Sequence, residues 1–157
     1  MIDFLFVHFN SLIGTFGYLG VLVVSFVSAS TIFFPIPGYV AILAGGYFLN
    51  PSLIAFVGAL GSAGGELAAY GVGRGGRELM GPAAKKLTIW IERIDLWSRK
   101  WNRFLLVYIF ALTPLPHDAA GLFFGAVKYS AFNFLLATFL GRLTLFLLIA
   151  FGISLFG

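Results

Sequence analysis

The pattern of hydrophobic and polar positions predicts two full membrane spans, over residues 53 to 73 and 130 to 156. Each is an apolar run of about 20 residues or more, the length needed for a helix to cross a bilayer. Residues 16 to 34 form another apolar run that is long enough, or nearly so, to cross. Residues 39 to 49 and 104 to 112 are apolar but shorter. We therefore expect an all-α integral membrane protein.

Two proline segments interrupt this apolar pattern. FFPIPGYVAILAGG (residues 33 to 46) and LTPLPHDAAGLFFG (residues 112 to 125) superimpose with an offset of 79 residues, which aligns both prolines and one glycine. A short arm, a polar break and a full span follow each segment, which indicates an internal repeat, with chance similarity as the alternative. Because proline breaks helices, we expect a hairpin tip in each segment. The predicted tip residues are Pro35, Pro37, Gly38, Pro114 and Pro116.

A chain break at membrane depth must be buried in protein or line a wet cavity, because unpaired backbone groups are costly in hydrocarbon. Broken helices at matching places in two halves are typical of transporters built from inverted repeats. We therefore expect a single membrane domain, 1–157, with inverted repeats over about 12–76 and 102–157. Each repeat would be a re-entrant Pro-x-Pro hairpin followed by a transmembrane helix. Two ordinary spans with proline kinks are the alternative.

An amphipathic helix is predicted between the two repeats, over about 82–101. Its apolar side chains recur at helical spacing, and most of its charged residues lie on the opposite face. Three tryptophans favour the headgroup level, so we expect this helix to lie in the membrane interface. A soluble cytoplasmic helix packed on the rest of the protein is the alternative. The apolar face consists of Leu87, Trp90, Ile91, Ile94, Trp97 and Trp101.

The composition agrees with a membrane protein and indicates its orientation. The chain is 60% hydrophobic and 10% charged, with a mean hydropathy of +0.99, whereas soluble domains have about 25% charged residues. Eight of the ten Lys and Arg residues fall between Arg74 and Arg103. By the positive-inside rule this indicates that residues 74–103 are cytoplasmic. We interpret the cluster as a sign of membrane orientation and not as a nucleic-acid surface. We expect a multi-pass protein of the cell (plasma or inner) membrane that binds no nucleic acid.

Three charged residues remain in apolar surroundings. Glu66 and Arg142 lie at similar depths in their spans, and Asp118 follows the second Pro-x-Pro. Lone charges are expensive in a bilayer, so these residues should face one another or water, and they are candidates for a substrate or ion path. His117 could relay protons near neutral pH, with a polar packing residue as the alternative. A static structural pair of Arg142 with Glu66 or Asp118 is the alternative.

The segment around Glu66 carries a stripe of small residues that predicts close helix packing. The stripe should aim Glu66 at the interior, with Tyr70 one turn away. The end of this span, GVGRGG (residues 71 to 76), fits G-x-G-x-x-G literally but lacks the βαβ context of a nucleotide site. We interpret it as a helix break at the headgroup level, where Arg74 and Arg77 would hold lipid phosphates. The stripe consists of Gly61, Gly65, Ala69 and Gly73.

The sequence contains no catalytic constellation and no metal-ligand spacing. It has no cysteine, which excludes disulfides and thiol ligands. We therefore expect no enzymatic activity, no catalytic residue, no metal and no cofactor.

Taken together, these motifs resemble the DedA family, also called the VTT or SNARE-associated membrane family. The resemblance covers roughly residues 30 to 130 in order, and TPLP followed by an aspartate resembles a smaller branch of this family. It implies two opposed re-entrant hairpins, and lipid scrambling or flipping of polyprenyl-phosphate carriers, sometimes coupled to protons or sodium. The matching residues are FPIPG at 34 to 38, Gly45-Gly46, Gly65-Glu66 with Tyr70 and Gly73-Arg74, and TPLP with Asp118 and Gly121.

The chain departs from the bacterial pattern of this family at both tips. Tyr39 stands where an acidic residue is usual, and Ala111 and His117 stand where arginines flank the second proline. Proton coupling through the first hairpin is therefore not implied, and Arg142 is our candidate for the missing positive charge.

We expect a transporter that moves a lipid or lipid-linked phosphate between leaflets as a flippase or scramblase, with proton coupling as an option. Membrane lipids would be its partners, and a homodimer is a candidate assembly. The alternatives are a structural or membrane-remodelling protein without a transport cycle, and a transporter of small ions or solutes. The predicted path residues are Glu66, Asp118, Arg142, His117, Tyr39 and Tyr70.

Overall fold

The computed structural model describes residues 17–31, 39–46, 49–79, 85–113 and 117–156, and every regular element in these ranges is an α-helix. This confirms the all-helical prediction for that part of the chain. The predicted hairpin-tip residues Pro35, Pro37, Gly38, Pro114 and Pro116 lie outside the described residues. The helices are α1 (Tyr18–Ser30), α2 (Tyr39–Gly45), α3 (Pro51–Leu79), α4 (Lys85–Arg99), α5 (Arg103–Leu112), α6 (Asp118–Ala126) and α7 (Ala131–Phe156).

Two of these helices are long and apolar enough to cross a membrane. They are α3 over Pro51–Arg77 and α7 over Ala131–Gly152, with mean hydropathies of 1.4 and 2.2. Both spans were predicted from the sequence. The apolar run at residues 16 to 34 instead gives α1, which has 13 residues and is shorter than the roughly 20 that a spanning helix needs.

The polar break at residues 50 to 52 is a helix start. The side chain of Asn50 accepts hydrogen bonds from the backbone N–H groups of Ser52 (3.0 Å) and Leu53 (3.3 Å). Asparagine is a favoured N-cap, and proline is favoured at the first helical position, which Pro51 occupies. Local capping therefore fixes where α3 begins.

The prediction of a helix break at GVGRGG is wrong, because α3 continues through these residues to Leu79. Each glycine inside a helix costs roughly 0.5–1 kcal/mol relative to alanine, but Gly73 gives α3 a close contact in return. A Cβ atom at Gly73 would collide with the backbone of Leu122 in α6. The glycine content alone indicated a break, but the helix is continuous here and Gly73 packs closely against α6.

The two long helices run antiparallel and enclose two apolar clusters. In the first cluster the start of α3 (Ile54, Ala55) packs near the end of α7 (Phe146, Ala150). In the second cluster the later part of α3 packs near the start of α7, where Tyr70 meets Phe134 with ring centroids 5.2 Å apart. The clusters therefore lie at opposite ends of the same helix pair. Further members are Val21, Val24, Ala41, Ile42 and Ala59 in the first cluster, and Val107, Ala120, Phe124, Val127 and Ala137 in the second.

The stripe of small residues on α3 serves two different neighbours, which confirms the predicted close packing. Cβ atoms at Gly61 and Gly65 would collide with the α1 backbone at Leu22 and Phe26, whereas Gly73 touches α6. As the residue number rises along α3, it also rises along α1, so these two helices run parallel.

The start of α3 returns to the start of α1. The backbone N–H of Asn50 donates a hydrogen bond to the hydroxyl of Tyr18, 3.1 Å away. Since α1 and α3 are parallel, the segment between them, which includes α2, must bring the chain back to the level at which α1 began.

The second half of the chain repeats this order of helices. A first arm (α5), a short helix (α6) and a long helix (α7) correspond to α1, α2 and α3, and the short helices begin 79 residues apart at Tyr39 and Asp118. Gly141 of α7 lies against Tyr108 and Ala111 of α5, much as Gly61 of α3 lies against α1. The offset of the two proline segments is thus also the offset of the short helices.

Candidate functional site

The two long helices are joined near their middles by a buried ion pair. A guanidinium nitrogen of Arg142 on α7 donates to Oε1 of Glu66 on α3 at 2.8 Å, and the two side chains are only 12% and 2% exposed. The sequence placed both residues at similar depth, and the structure brings them into direct contact. Of the two static pairs considered, it shows Arg142 with Glu66 rather than with Asp118.

The position of Glu66 follows from the neighbours of α3. Gly65 fits against the backbone of Phe26 in α1, and Ala69 fits against Gly121 in α6. The side chain of Glu66 is 2% exposed and contacts Arg142 of α7, so it is directed into the bundle, as predicted. The pair lies between the two apolar clusters, since Ala59 of the first and Tyr70 of the second flank Glu66 on α3.

Polar atoms around this pair remain without hydrogen-bond partners among the described residues. These atoms are Oε2 of Glu66, Nε of Arg142 and Nδ1 of His117, all of them buried. A buried polar atom without a partner costs about 1–3 kcal/mol, and more when it is charged. Oε2 of Glu66 can therefore accept a proton or a hydrogen bond, Nε of Arg142 can donate a hydrogen bond, and Nδ1 of His117 can do either according to its tautomer. Water or a polar group of a ligand could supply the partners.

His117 is held between two residues of α7. Its Nε2 lies 3.2 Å from Oγ1 of Thr138, and its ring stacks on Phe134 with a centroid distance of 5.8 Å. The side chains of His117 and Thr138 are both buried. This fixes the imidazole and leaves Nδ1 as its unpaired nitrogen.

Thr138 and Phe134 are not among the site residues predicted from the sequence. The signal was nevertheless present, because Phe134, Thr138 and Arg142 are spaced four residues apart and so share one face of α7. The face that carries Arg142 also carries the two partners of His117.

Asp118 belongs to the same electrostatic neighbourhood but is less enclosed. The positive charge of Arg142 acts on both His117 and Asp118, and the charge of Asp118 acts in turn on Glu66. Asp118 begins α6 and is partly exposed. The structure therefore groups four of the six predicted path residues, with Arg142 as their common cation.

The two predicted path tyrosines lie in different places. The hydroxyl of Tyr70 donates to the backbone carbonyl of Tyr129 and accepts from Arg74 at 3.2 Å, so it links α3 to the turn before α7. Tyr39 begins α2 and packs, half-buried, against the first cluster. Tyr70 thus stands beside the polar group, in contact with Phe134, whereas Tyr39 belongs to the apolar end of the bundle.

The two arginines predicted to hold lipid phosphates also have partners within the protein. Arg74 is exposed and donates to Tyr70. Arg77 donates to the backbone carbonyl of Ala126 at 2.8 Å and lies 3.7 Å from Glu92. Their role toward lipid phosphate stays a prediction.

The site contains one cation, one carboxylate in direct contact with it, a second carboxylate nearby and an imidazole. An anionic ligand could compete with Glu66 for Arg142, and the released carboxylate or His117 could then take up a proton. Among the described residues, no group of three or more His, Asp or Glu side chains is arranged to hold a metal ion.

A comparison with protein-family models finds a match to the model described as VTT domain, over residues 36–155. That range includes α3, α7 up to its penultimate residue and every described residue of the polar group. No curated protein and no solved structure matches the chain.

Proposed function

The chain belongs to the VTT domain family, and from this premise we propose that it is a membrane transporter that moves a lipid or lipid-linked phosphate between leaflets. The family is membrane-associated, and its members are often proposed to be transporters or flippases. The observation that carries the proposal is the buried pair of Glu66 and Arg142, with unpaired polar atoms beside it, in the middle of two apolar helices. Charges at that depth are costly and mark substrate or ion paths by default.

The polar group suits the head of a lipid. Arg142 offers a guanidinium, which binds phosphate in a bidentate manner, and Glu66, His117 and Asp118 surround it with groups that can exchange protons. A phosphate that displaced Glu66 from Arg142 would replace one ion pair with another, so the head group would not cross the bilayer as an unpaired charge.

The outer side of the same helix pair suits the lipid tails. A cavity of about 330 Å³ between α3 and α7 is lined by apolar side chains and one glycine, among them Leu67 and Phe139. Leu67 follows Glu66 directly, so this groove lies at the level of the ion pair. The head group would pass beside Arg142 while the tails remain in the bilayer against the groove.

In this proposal each half of the chain contains a re-entrant hairpin followed by a spanning helix. The parallel course of α1 and α3 and the hydrogen bond between Asn50 and Tyr18 support a return of the first segment to the face it left. The antiparallel course of α3 and α7 supports inversion of the second half relative to the first. The repeats would be about 12–76 and 102–157 of a single membrane domain.

The orientation follows the positive charge. We propose a multi-pass protein of the plasma or inner membrane with residues 74–103 in the cytoplasm. Helix α4 would lie in the cytoplasmic interface, since Trp90, Trp97 and Leu96 are 62%, 54% and 63% exposed instead of packed on the bundle. A helix with an exposed apolar face suits the headgroup region better than water.

Membrane lipids are the proposed partners of this chain, and a homodimer is its proposed assembly. We propose no enzymatic activity, no cofactor and no nucleic-acid partner. The smaller TPLP-D branch of the family remains our proposal for its place within that family.

A dithionite-quenching assay with fluorescently labelled lipids in proteoliposomes tests the proposed activity. We expect the purified protein to expose inner-leaflet lipid to the quencher faster than protein-free liposomes do. Arg142→Ala should reduce exchange to the protein-free rate, whereas Arg93→Gln, which removes an exposed cation on α4, should leave it unchanged. Exchange at the protein-free rate by the wild-type chain would refute the proposal.

A structural or membrane-remodelling role is the second candidate, and the direct contact of Glu66 with Arg142 favours it. A buried ion pair can join two helices without any transport cycle. This role predicts that neutralising Glu66 and Asp118 changes stability and leaves every flux unchanged. Ion flux under an imposed pH gradient tests the remaining option, a transporter of small ions or solutes.

A further inference from the structure

Two cavities meet at the basic end of the bundle, away from the pair of Glu66 and Arg142. One, of about 570 Å³, lies between the end of α3, helix α4 and the turn that follows α6. The other, of about 510 Å³, lies between the end of α4, the start of α5 and the same turn. Arg99 lines both cavities, and we call the two cavities together the basic cleft.

The basic cleft has an excess of positive charge. Among the described residues, its lining carries four cations, Arg77, Arg99, Arg103 and Lys128, and two acids, Glu92 and Asp95. The lining therefore favours an anion.

Asp95 bridges two arginines of the basic cleft, so its negative charge is compensated and does not exclude an anion. One of its carboxylate oxygens accepts from Arg103 and the other accepts from Nε of Arg99 at 3.0 Å, while its side chain is only 13% exposed. Two arginines on one carboxylate leave a net positive charge, and Arg99 remains 64% exposed at the opening. A ligand would meet the guanidinium and not the carboxylate.

The turn that presents Lys128 has an unusual backbone conformation. Lys128 is exposed and has a φ of 54°, in the left-handed region that residues other than glycine seldom adopt. Adjacent contacts hold the turn, since Tyr129 N–H donates to the carbonyl of Phe124 at 3.0 Å. Tyr129 brings no negative charge, because a tyrosine hydroxyl is neutral near pH 7, and partial burial raises its pKa further although Arg103 opposes this shift.

Aromatic side chains accompany the cations of the basic cleft. Trp101, Phe104 and Tyr129 line one of the two cavities, and Trp101 is 57% exposed. Tryptophan and tyrosine concentrate at the level of lipid headgroups, and clusters of Lys and Arg beside membrane helices attract anionic lipids. Cations and aromatic rings in one cleft suit a ligand that is anionic at one end and apolar at the other.

We propose that the basic cleft binds the phosphate of an anionic lipid of the cytoplasmic leaflet, at a site separate from the transport path. The inference rests on the membrane placement of the proposed function but does not require transport. The phosphate contacts Arg99 and Lys128, and the lipid backbone lies against Trp101 and Tyr129. Occupancy fastens α4 and the turn after α6 to the membrane surface.

Native mass spectrometry of the detergent-solubilised protein tests this site with two lipid probes, phosphatidylglycerol and phosphatidylcholine. We expect phosphatidylglycerol to bind saturably and at least about tenfold more tightly than phosphatidylcholine. The double variant Arg99→Gln/Lys128→Asn should lose at least about tenfold in phosphatidylglycerol affinity. Asparagine is chosen because it tolerates the left-handed backbone at position 128, and glutamine is chosen because its side-chain amide can still donate to Asp95.

The matched control is Arg93→Gln/Lys100→Gln, which removes the same net charge from α4 and from the residue after it without touching the lining of the cleft. This control should bind phosphatidylglycerol within about twofold of the wild type. Equal losses in both double variants would overturn the inference, because they would indicate diffuse attraction. Phosphatidylglycerol binding no tighter than phosphatidylcholine binding would overturn it as well.

A third arm adds inorganic phosphate as a competitor. We expect it to leave phosphatidylglycerol bound, and displacement at comparable concentrations would overturn the lipid assignment in favour of a free-anion site. Circular dichroism and elution volume verify folding, and Lys128→Asn alone provides a milder second variant. Wild-type protein that binds phosphatidylglycerol but exchanges no lipid in proteoliposomes would refute the proposed transport and support the cleft.

Discussion

The two apolar clusters lie at opposite ends of the same helix pair and differ in chemistry. The first is mostly aliphatic, and the short helix α2 adds Ala41 and Ile42 to it. The second contains Tyr70, Phe124 and Phe134, and the residue before its short helix α6 is the buried His117. The same order of helices therefore carries different side chains in its two halves. The short segment of the second side contributes the imidazole of His117 and the carboxylate of Asp118, whereas the helix of the first side begins with Tyr39.

The largest effect should come from the ion pair that lies between the clusters. Glu66→Gln leaves Arg142 buried and unpaired, and removing one partner of a buried pair typically costs about 3–5 kcal/mol. We expect a loss of this size in the free energy of unfolding in mixed micelles.

The double variant Glu66→Gln/Arg142→Gln is the control for that loss. Because it removes both charges, it should be clearly more stable than either single variant. If the losses of unfolding free energy in the two single variants simply add in the double variant, the two side chains do not interact. The ion pair would then not join the helices between the two clusters.

A smaller effect should come from the glycines with which α3 reaches its neighbours on each side. Gly73→Ala places a methyl group against the Leu122 backbone of α6, and Gly65→Ala places one against Phe26 of α1. Overpacking typically costs about 1–3 kcal/mol, and we expect both variants to unfold earlier in a thermal melt.

Gly71→Ala is the matched control on the same helix, since no atom outside α3 lies within 4 Å of the position that its methyl group would take. It should stabilise the protein by about 0.5–1 kcal/mol, because alanine favours the helix. If Gly73→Ala behaves like Gly71→Ala, the contact between α3 and α6 is not as close as the structure has it.

The smallest effect should come from Ser25→Ala, which we contrast with Thr138→Val, one hydroxyl from each side. Thr138→Val removes the partner of His117 Nε2 and should cost about 1–3 kcal/mol, because the imidazole would then have no partner among the described residues. Ser25→Ala removes a buried hydroxyl with no partner among those residues, so it should be neutral or slightly stabilising. Equal losses of stability in the thermal melts of Thr138→Val and Ser25→Ala would contradict the distinction between a mostly aliphatic first cluster and a second cluster with polar groups beside it.

The sequence was sufficient to predict the two spans, the amphipathic helix and the matching levels of Glu66 and Arg142 in their helices. These features depend on local hydropathy and on helical periodicity, which a single chain displays directly. The stripe at Gly61, Gly65, Ala69 and Gly73 was also informative, because small side chains matter only where another helix approaches. The identity of that helix was not predictable, and the stripe in fact meets both α1 and α6.

The errors and omissions concern contacts between distant segments. GVGRGG was interpreted as a break because glycine propensity is local, whereas Gly73 lies in a continuous helix with a close contact to Leu122. The partners of Asp95 and Arg77 also depend on how helices meet, with Arg77 bound to the Ala126 carbonyl. Thr138 was predictable as a site residue, because it lies four residues before Arg142 and therefore on the same face of α7.

We propose that lipid head groups pass between the leaflets beside the pair of Glu66 and Arg142, so that this pair does more than join two helices. The most direct measurement is dithionite quenching in proteoliposomes that contain folded Glu66→Gln/Arg142→Gln protein, compared with wild type at equal reconstitution. Our account predicts that this stable double variant exchanges lipid no faster than protein-free liposomes. Exchange at the wild-type rate by the double variant would contradict it.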